Sequence, residues 1–210
     1  KTKEFKFKRG NNILIEFKIN IPFKVLKIFS NNDEIVSEKN SKEEKLFYQT
    51  LDPVLVEGGL VLEEFYNGCR RTLSRLLRQS QYDVIYIQVN RNSQGHFGVT
   101  VDEEKSIFIL LKDLAELLPQ DRPPFLIVAD KYSGNDPKEL AEIFLKKGVP
   151  KTVVFTGNHN SLQTVAELFK ELVRKVKQDL LFSSVEESLQ FIRWNKGSQP
   201  TLFSTSAFEQ

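Results

Sequence analysis

The chain has no methionine, one cysteine and two histidines in 210 residues. Each scarcity removes a class of chemistry. With Cys69 as the only thiol there is no internal disulfide and no cysteine-rich zinc site. Histidines at 96 and 159 alone give no paired spacing for a metal, so no metal or other cofactor is expected, although either imidazole titrates near neutrality and is a candidate general base. The apolar runs stay under about ten residues, too short to cross a bilayer. Residues 1 to 8 alternate charge with Phe and do not lead into an apolar stretch, so they do not read as a secretory leader. A cytosolic location is therefore the expectation. Charge of one sign is lacking as well: a net charge of +2 makes no global field for nucleic acid. The dinucleotide Gly fingerprint, the phosphate-loop Gly-Lys-Ser/Thr and the nucleophile elbow are all absent.

What remains is the composition of an ordinary globular protein, 40% apolar and 28% charged. The length fits one domain, or one domain with an attached smaller lobe, and buries about 70% of the unfolded surface. Basic residues gather early: residues 1 to 28 hold Lys1, Lys3, Lys6, Lys8, Arg9, Lys18, Lys24 and Lys27 against Glu4 and Glu16. Such a patch can meet nucleic acid or an acidic partner. No aromatic-plus-Arg groove pattern accompanies it, which favours the solvated face of a β-hairpin and argues against nucleic acid.

The hairpin itself is legible. Phe5 and Phe7 alternate with Lys, Arg9-Gly10-Asn11-Asn12 is turn chemistry, and Ile13, Ile15, Phe17 and Ile19 share one face. Phe23 to Phe29 reads as a further strand. Residues 30 to 58 are polar and poorly periodic, and are expected to be a mobile loop, so the first 58 residues form an N-terminal lobe. From Leu60 to Leu77 the apolar positions Val61, Phe65, Cys69, Leu73, Leu76 and Leu77 follow helical spacing. That spacing puts Cys69 on a buried stripe, where a thiol is inert.

Residues 59 to 210 then alternate strand and helix. Strands are expected at 83–89, 125–129 and 151–156, and a hairpin-like pair at 97–101 and 106–110. A short helix spans 112–118 before Pro123-Pro124. Asp136-Pro137-Lys138-Glu139 starts a helix that ends at Gly148, with basic residues in its last turn. Asn160 and Ser161 cap a helix carrying Leu162, Val165, Leu168, Phe169, Leu172 and Val176, and Ser183 to Glu187 is a capping box for a last helix through Trp194. Pro200 to Phe203 is extended. This order specifies an α/β fold with a mostly parallel sheet covered by helices on both faces.

In such a sheet, ligands and catalytic groups sit at the carboxyl ends of the strands. Two ends stand out: Tyr86-Ile87-Gln88-Val89-Asn90-Arg91 and Ile127-Val128-Ala129-Asp130-Lys131-Tyr132. Asn90 and Lys131 are the candidate positions there. Gly157, Asn158 and His159 form a further strand-to-helix turn with capacity for an anion, and Asn158 and His159 join Asp130 and Lys131 as candidate ligand-binding residues. His96 lies in the turn Gln94-Gly95-His96-Phe97-Gly98.

Taken together, these strands, turns and the tail resemble the CHAT domain, a branch of the caspase-like cysteine-peptidase clan, over about residues 60 to 203. Asp83 to Asn90 is similar to the strand that ends in the family's catalytic His. Leu126 to Gly134 is similar to the strand that ends in its catalytic Cys and enters a Gly-containing turn. The helix before Gly148, the strand after it and the closing Trp194…Pro200-Thr201-Leu202-Phe203 also fit. The resemblance implies a caspase-like fold preceded by a β-hairpin. It also implies that Asn90 and Lys131 stand where the family has its His and Cys. A cysteine peptidase needs a thiolate and an imidazole to activate it. Asn transfers no proton near neutrality, and a Lys amine is charged unless strongly desolvated. The implied function is a non-catalytic module that binds a protein partner. One alternative is an enzyme or anionic-ligand site using Lys131, and another a nucleic-acid binder using the basic hairpin.

Overall fold

A computed structural model of the chain describes residues 2–9, 13–29, 38–65, 69–79, 81–92, 94–102, 107–121, 123–131, 137–156, 161–177, 189 and 199–204. The alternating amino-terminal residues form β1 (Thr2–Arg9) and β2 (Ile13–Asn20), which pair antiparallel with Phe5 opposite Phe17 and Phe7 opposite Ile15. This hairpin is a sheet of its own.

The main sheet is built from β3 (Phe23–Ile28), β4 (Leu60–Phe65), β5 (Val84–Arg91), β8 (Leu126–Lys131), β9 (Lys151–Thr156) and β10 (Gln199–Ser204), in the order β4-β3-β5-β8-β9-β10. The first five are parallel and β10 runs antiparallel along β9. A hairpin of β6 (Phe97–Asp102) and β7 (Ile107–Leu110) pairs with the carboxyl end of β5. Helices fill the connections: α1 (Glu38–Val56), α2 (Arg70–Gln79), α3 (Leu111–Ala115), α4 (Pro137–Leu145) and α5 (Ser161–Lys177).

Strand alternation sorts the core into two layers. Val25, Val84, Tyr86 and Val128 face α1 and α5, where Phe47, Leu51, Phe169 and Leu172 cover them. Leu26, Ile85, Ile87 and Ile127 face α2, α3 and α4, against Leu73, Leu114, Leu140 and Phe144. Each such side chain contributes about 1.5–3 kcal/mol of burial. The helices on both faces that the sequence pattern requires are therefore present. At the amino ends, Asp83 fixes the register of three strands. Its Oδ2 accepts the Lys24 N–H at 2.8 Å, its own N–H donates to the Lys24 carbonyl at 2.9 Å, and its carbonyl accepts the Phe125 N–H at 2.9 Å. Gly148, at φ +88°, closes the turn after α4, as its place behind the basic pair predicts.

Two expectations are corrected. Residues 38–56, read as loop, form α1, whose Phe47, Leu51 and Val54 repeat at helical spacing and are buried. With β3 in the middle of the sheet and α1 in the same core, position 58 falls inside one packed unit. The helix expected from Leu60 to Leu77 is instead β4 followed by α2. Leu73 and Leu77 are buried on α2, whereas Val61 sits on the edge strand and is exposed. The capping box at 183–187, Trp194 and the N-caps Asp136 and Asn160 lie outside the described residues.

Candidate functional site

The chain leaves β3 for β4 on one side and then builds β5, β8 and β9 on the other. The sheet therefore reverses direction between β3 and β5, and the carboxyl edge there is where an open α/β sheet offers a crevice. Asn90, Asp130 and Lys131 lie along this edge. β5 and β8 are adjacent, with Gln88 opposite Asp130 and Val89 opposite Lys131. Asn90 stands one residue beyond the partner of Lys131. Asn90 is half-buried and lies opposite Gly98 of β6. β8 runs through Lys131, two residues past the end of the strand expected at 125–129. Asn158, His159 and Gly157 lie outside the described residues. His96 is exposed in the turn past the Arg91–Phe97 pair, where the Asn92 Oδ1 accepts the N–H groups of Gln94 and His96 at 3.1 and 2.9 Å.

Cys69 occupies a different environment from the one its spacing predicted. It is exposed, at the start of α2, and its carbonyl accepts the Thr72 N–H at 2.9 Å and the Leu73 N–H at 3.2 Å. Its Sγ lies 3.4 Å from the Thr72 hydroxyl. Hydrogen bonding to the Thr72 side chain, then to its backbone, holds the thiol below its ordinary pKa. We expect native Cys69 to react fully with a neutral alkylating reagent, at a rate comparable to that in denaturant and with a pH midpoint below that of a free thiol. Protection of Cys69 until the chain unfolds would contradict this placement.

The unusual chemistry beside the crevice is at Lys27, which the strand reading passed over. Period two puts Lys27 on the face of Phe23 and Val25, beneath α1, and its side chain has 0% exposure. Register places Glu64 on one side and Tyr86 on the other. The Nζ lies 3.8 Å from the Phe29 ring centroid, 4.3 Å from Phe47 and 5.2 Å from Tyr48. The Glu64 Oε1 is 3.1 Å away, in ion-pair contact, and the Glu44 Oε1 is 3.9 Å away. Tyr48 donates its hydroxyl proton to the other Glu64 oxygen at 2.5 Å. Burial lowers the Lys27 pKa, opposed by the two carboxylates. The cluster joins β3, β4 and α1 through one cation. The sequence did carry a signal for it: a lysine at an apolar position of a period-two strand implies a buried, partnered charge.

The edge thus holds an amide at Asn90, an ammonium locked among aromatic rings, and an exposed thiol after β4, the outermost strand at this end of the sheet. Among the described residues no group of three or more His, Cys, Asp or Glu is placed to hold a metal ion. No helix among them is long and apolar enough to cross a membrane.

No protein-family model matches the chain, and no curated protein matches it. Among solved structures it is similar to the Drosophila initiator caspase Dronc. The identity is 13%, over 88% of this chain and 79% of that one, with a TM-score of 0.41. A likeness at that score carries no chemistry to this chain.

Proposed function

We propose that this chain is a non-catalytic, caspase-like domain of the CHAT type that works by binding a protein partner. The observation that carries the reading is the pair of adjacent parallel strands β5 and β8, whose carboxyl ends present Asn90 and Lys131 one register step apart. These are the positions where the resemblance implies a His and a Cys. Asn90 has no proton to exchange near neutrality, and with a lysine on the neighbouring strand it makes no acylating pair. Cys69 begins the helix after β4, on the far side of β3 from β5 and β8, and His96 is carried outward in an exposed turn.

Hydrolysis of a diverse peptide library tests the reading. No turnover is expected from the wild type, Cys69→Ala or Lys131→Ala. Turnover that survives Cys69→Ala and disappears in Lys131→Ala would overturn it and make Lys131 a working group.

A further inference from the structure

The helices of this fold other than α2 carry acidic residues among their basic ones. Just past α4, Lys146 pairs with Glu142 at 3.0 Å. On α5, Lys170 pairs with Glu167 at 3.7 Å and Arg174 with Glu171 at 2.9 Å. Lys147 after α4 pairs with Glu116. By contrast α2 reads Arg-Arg-Thr-Leu-Ser-Arg-Leu-Leu-Arg-Gln and contains no acid. Arg70, Arg71, Arg75 and Arg78 are all exposed, and none has an ion-pair partner among the described residues.

Their placement follows from the helix period. Leu73 and Leu77 take the buried stripe. Arg71, Arg75 and Arg78 fall within about 60° of arc and about 10 Å of axial length on the outer side. This arrangement works against the helix. Arg70 and Arg71 sit at the positive end of its dipole, and Arg71–Arg75 and Arg75–Arg78 are like-charge neighbours. Nothing described within the chain relieves that repulsion.

We infer that the outer face of α2 is a docking surface for an acidic segment of a protein partner. Charge complementarity sets the sign. The guanidinium fork, which matches a carboxylate through two parallel N–H bonds, sets the chemistry. Size favours a short protein segment over nucleic acid. The stripe spans only about three phosphates of one strand, where salt-sensitive duplex binders engage about six to ten. A net charge of +2 adds no long-range attraction. The inference takes its sense from the binding reading above but is measured independently of it. A chain that hydrolysed peptides and still bound acid on α2 would lose that reading and keep this one.

The test is a titration of the full chain with fluorescent polyglutamate at low salt, beside single-stranded DNA and duplex DNA. Polyglutamate is expected to bind, to weaken steeply as salt is raised, and to bind about tenfold more weakly to Arg71→Gln/Arg75→Gln. That variant should melt no lower than the wild type, because it removes like-charge neighbours, so weaker binding is not a folding defect. The inference is overturned by no polyglutamate binding at low salt, by equal binding to wild type and variant, or by tighter arginine-dependent binding to DNA than to polyglutamate.

Discussion

Replacing Glu64 with alanine is expected to cost about 3 kcal/mol of stability, a fall in melting temperature on the order of 10 °C for a chain of this size. Glu64 is the nearest counter-charge to an ammonium with 0% exposure, at 3.1 Å. Removing one member of a buried pair leaves the other charge without compensation, typically at 3–5 kcal/mol. The lower end applies because Glu44 remains at 3.9 Å and because a lysine whose pKa burial has already lowered can shed its proton. The double variant Lys27→Met/Glu64→Gln should be as stable as the wild type or more so. An apolar chain then fills the cage of Phe29, Phe47 and Tyr48, and the amide oxygen still accepts the Tyr48 hydroxyl. Denaturant titration of the three proteins checks both expectations, and a Glu64→Ala chain as stable as the wild type would contradict the buried pair.

The same cluster has a pH signature. The folded-state pKa of Lys27 is lowered, so between that value and the ordinary lysine value of about 10.4 the unfolded chain binds the extra proton. The charged form is the disfavoured one in the fold. Its cost is fully present below the folded pKa and is relieved as pH rises through the window. Glu44 and Tyr48 on α1, Glu64 on β4 and Tyr86 on β5 are the titratable groups facing it. Relative to Lys27→Met, wild-type stability should improve as pH rises toward that upper value. A difference between the two proteins that does not move with alkaline pH would argue against a desolvated amine.

Gly98→Ala is the second large effect expected. Gly98 lies opposite Asn90 on β5 and Leu110 on β7. A Cβ there would clash with the Ile109 carbonyl oxygen and meet the Phe108 ring at 2.5 Å. A ring can turn aside, but a carbonyl in a strand ladder cannot move without breaking its pairing. The cost should reach or exceed about 3 kcal/mol, the top of the usual range for overpacking. Amide exchange should show faster opening in β6 and β7 before the rest of the sheet, and a variant that melts and exchanges like the wild type would rule out this close approach.

Elements that announce themselves by period and punctuation were readable from sequence. The hairpin declared itself by alternation, α4 by its Pro137 start and Gly148 stop, and α5 by Leu162, Val165, Phe169 and Leu172. α1 was not readable, because its first half is charged, Pro53 lies inside it, and only Phe47, Leu51 and Val54 mark its buried side. β4 and α2 merged because Val61, Phe65, Cys69 and Leu73 happen to continue one four-residue spacing across two elements. Asn67-Gly68, a turn dipeptide in the middle of that run, was the signal against a single helix. That merger also put Cys69 in the core. Asn90 and Lys131 were legible as strand ends, but that their strands are neighbours follows from pairing, which no local pattern encodes.

The most direct test of the non-catalytic reading is peptide mapping by mass spectrometry after incubation with peptidyl halomethyl ketones and peptidyl active esters of varied sequence. The expected result is modification of Cys69 by the ketones at one rate for every peptide, linear in reagent concentration, with no preferred acylation of Lys131. Saturable labelling of Lys131 or Cys69 that depends on the peptide sequence would show a formed substrate site and contradict the non-catalytic reading.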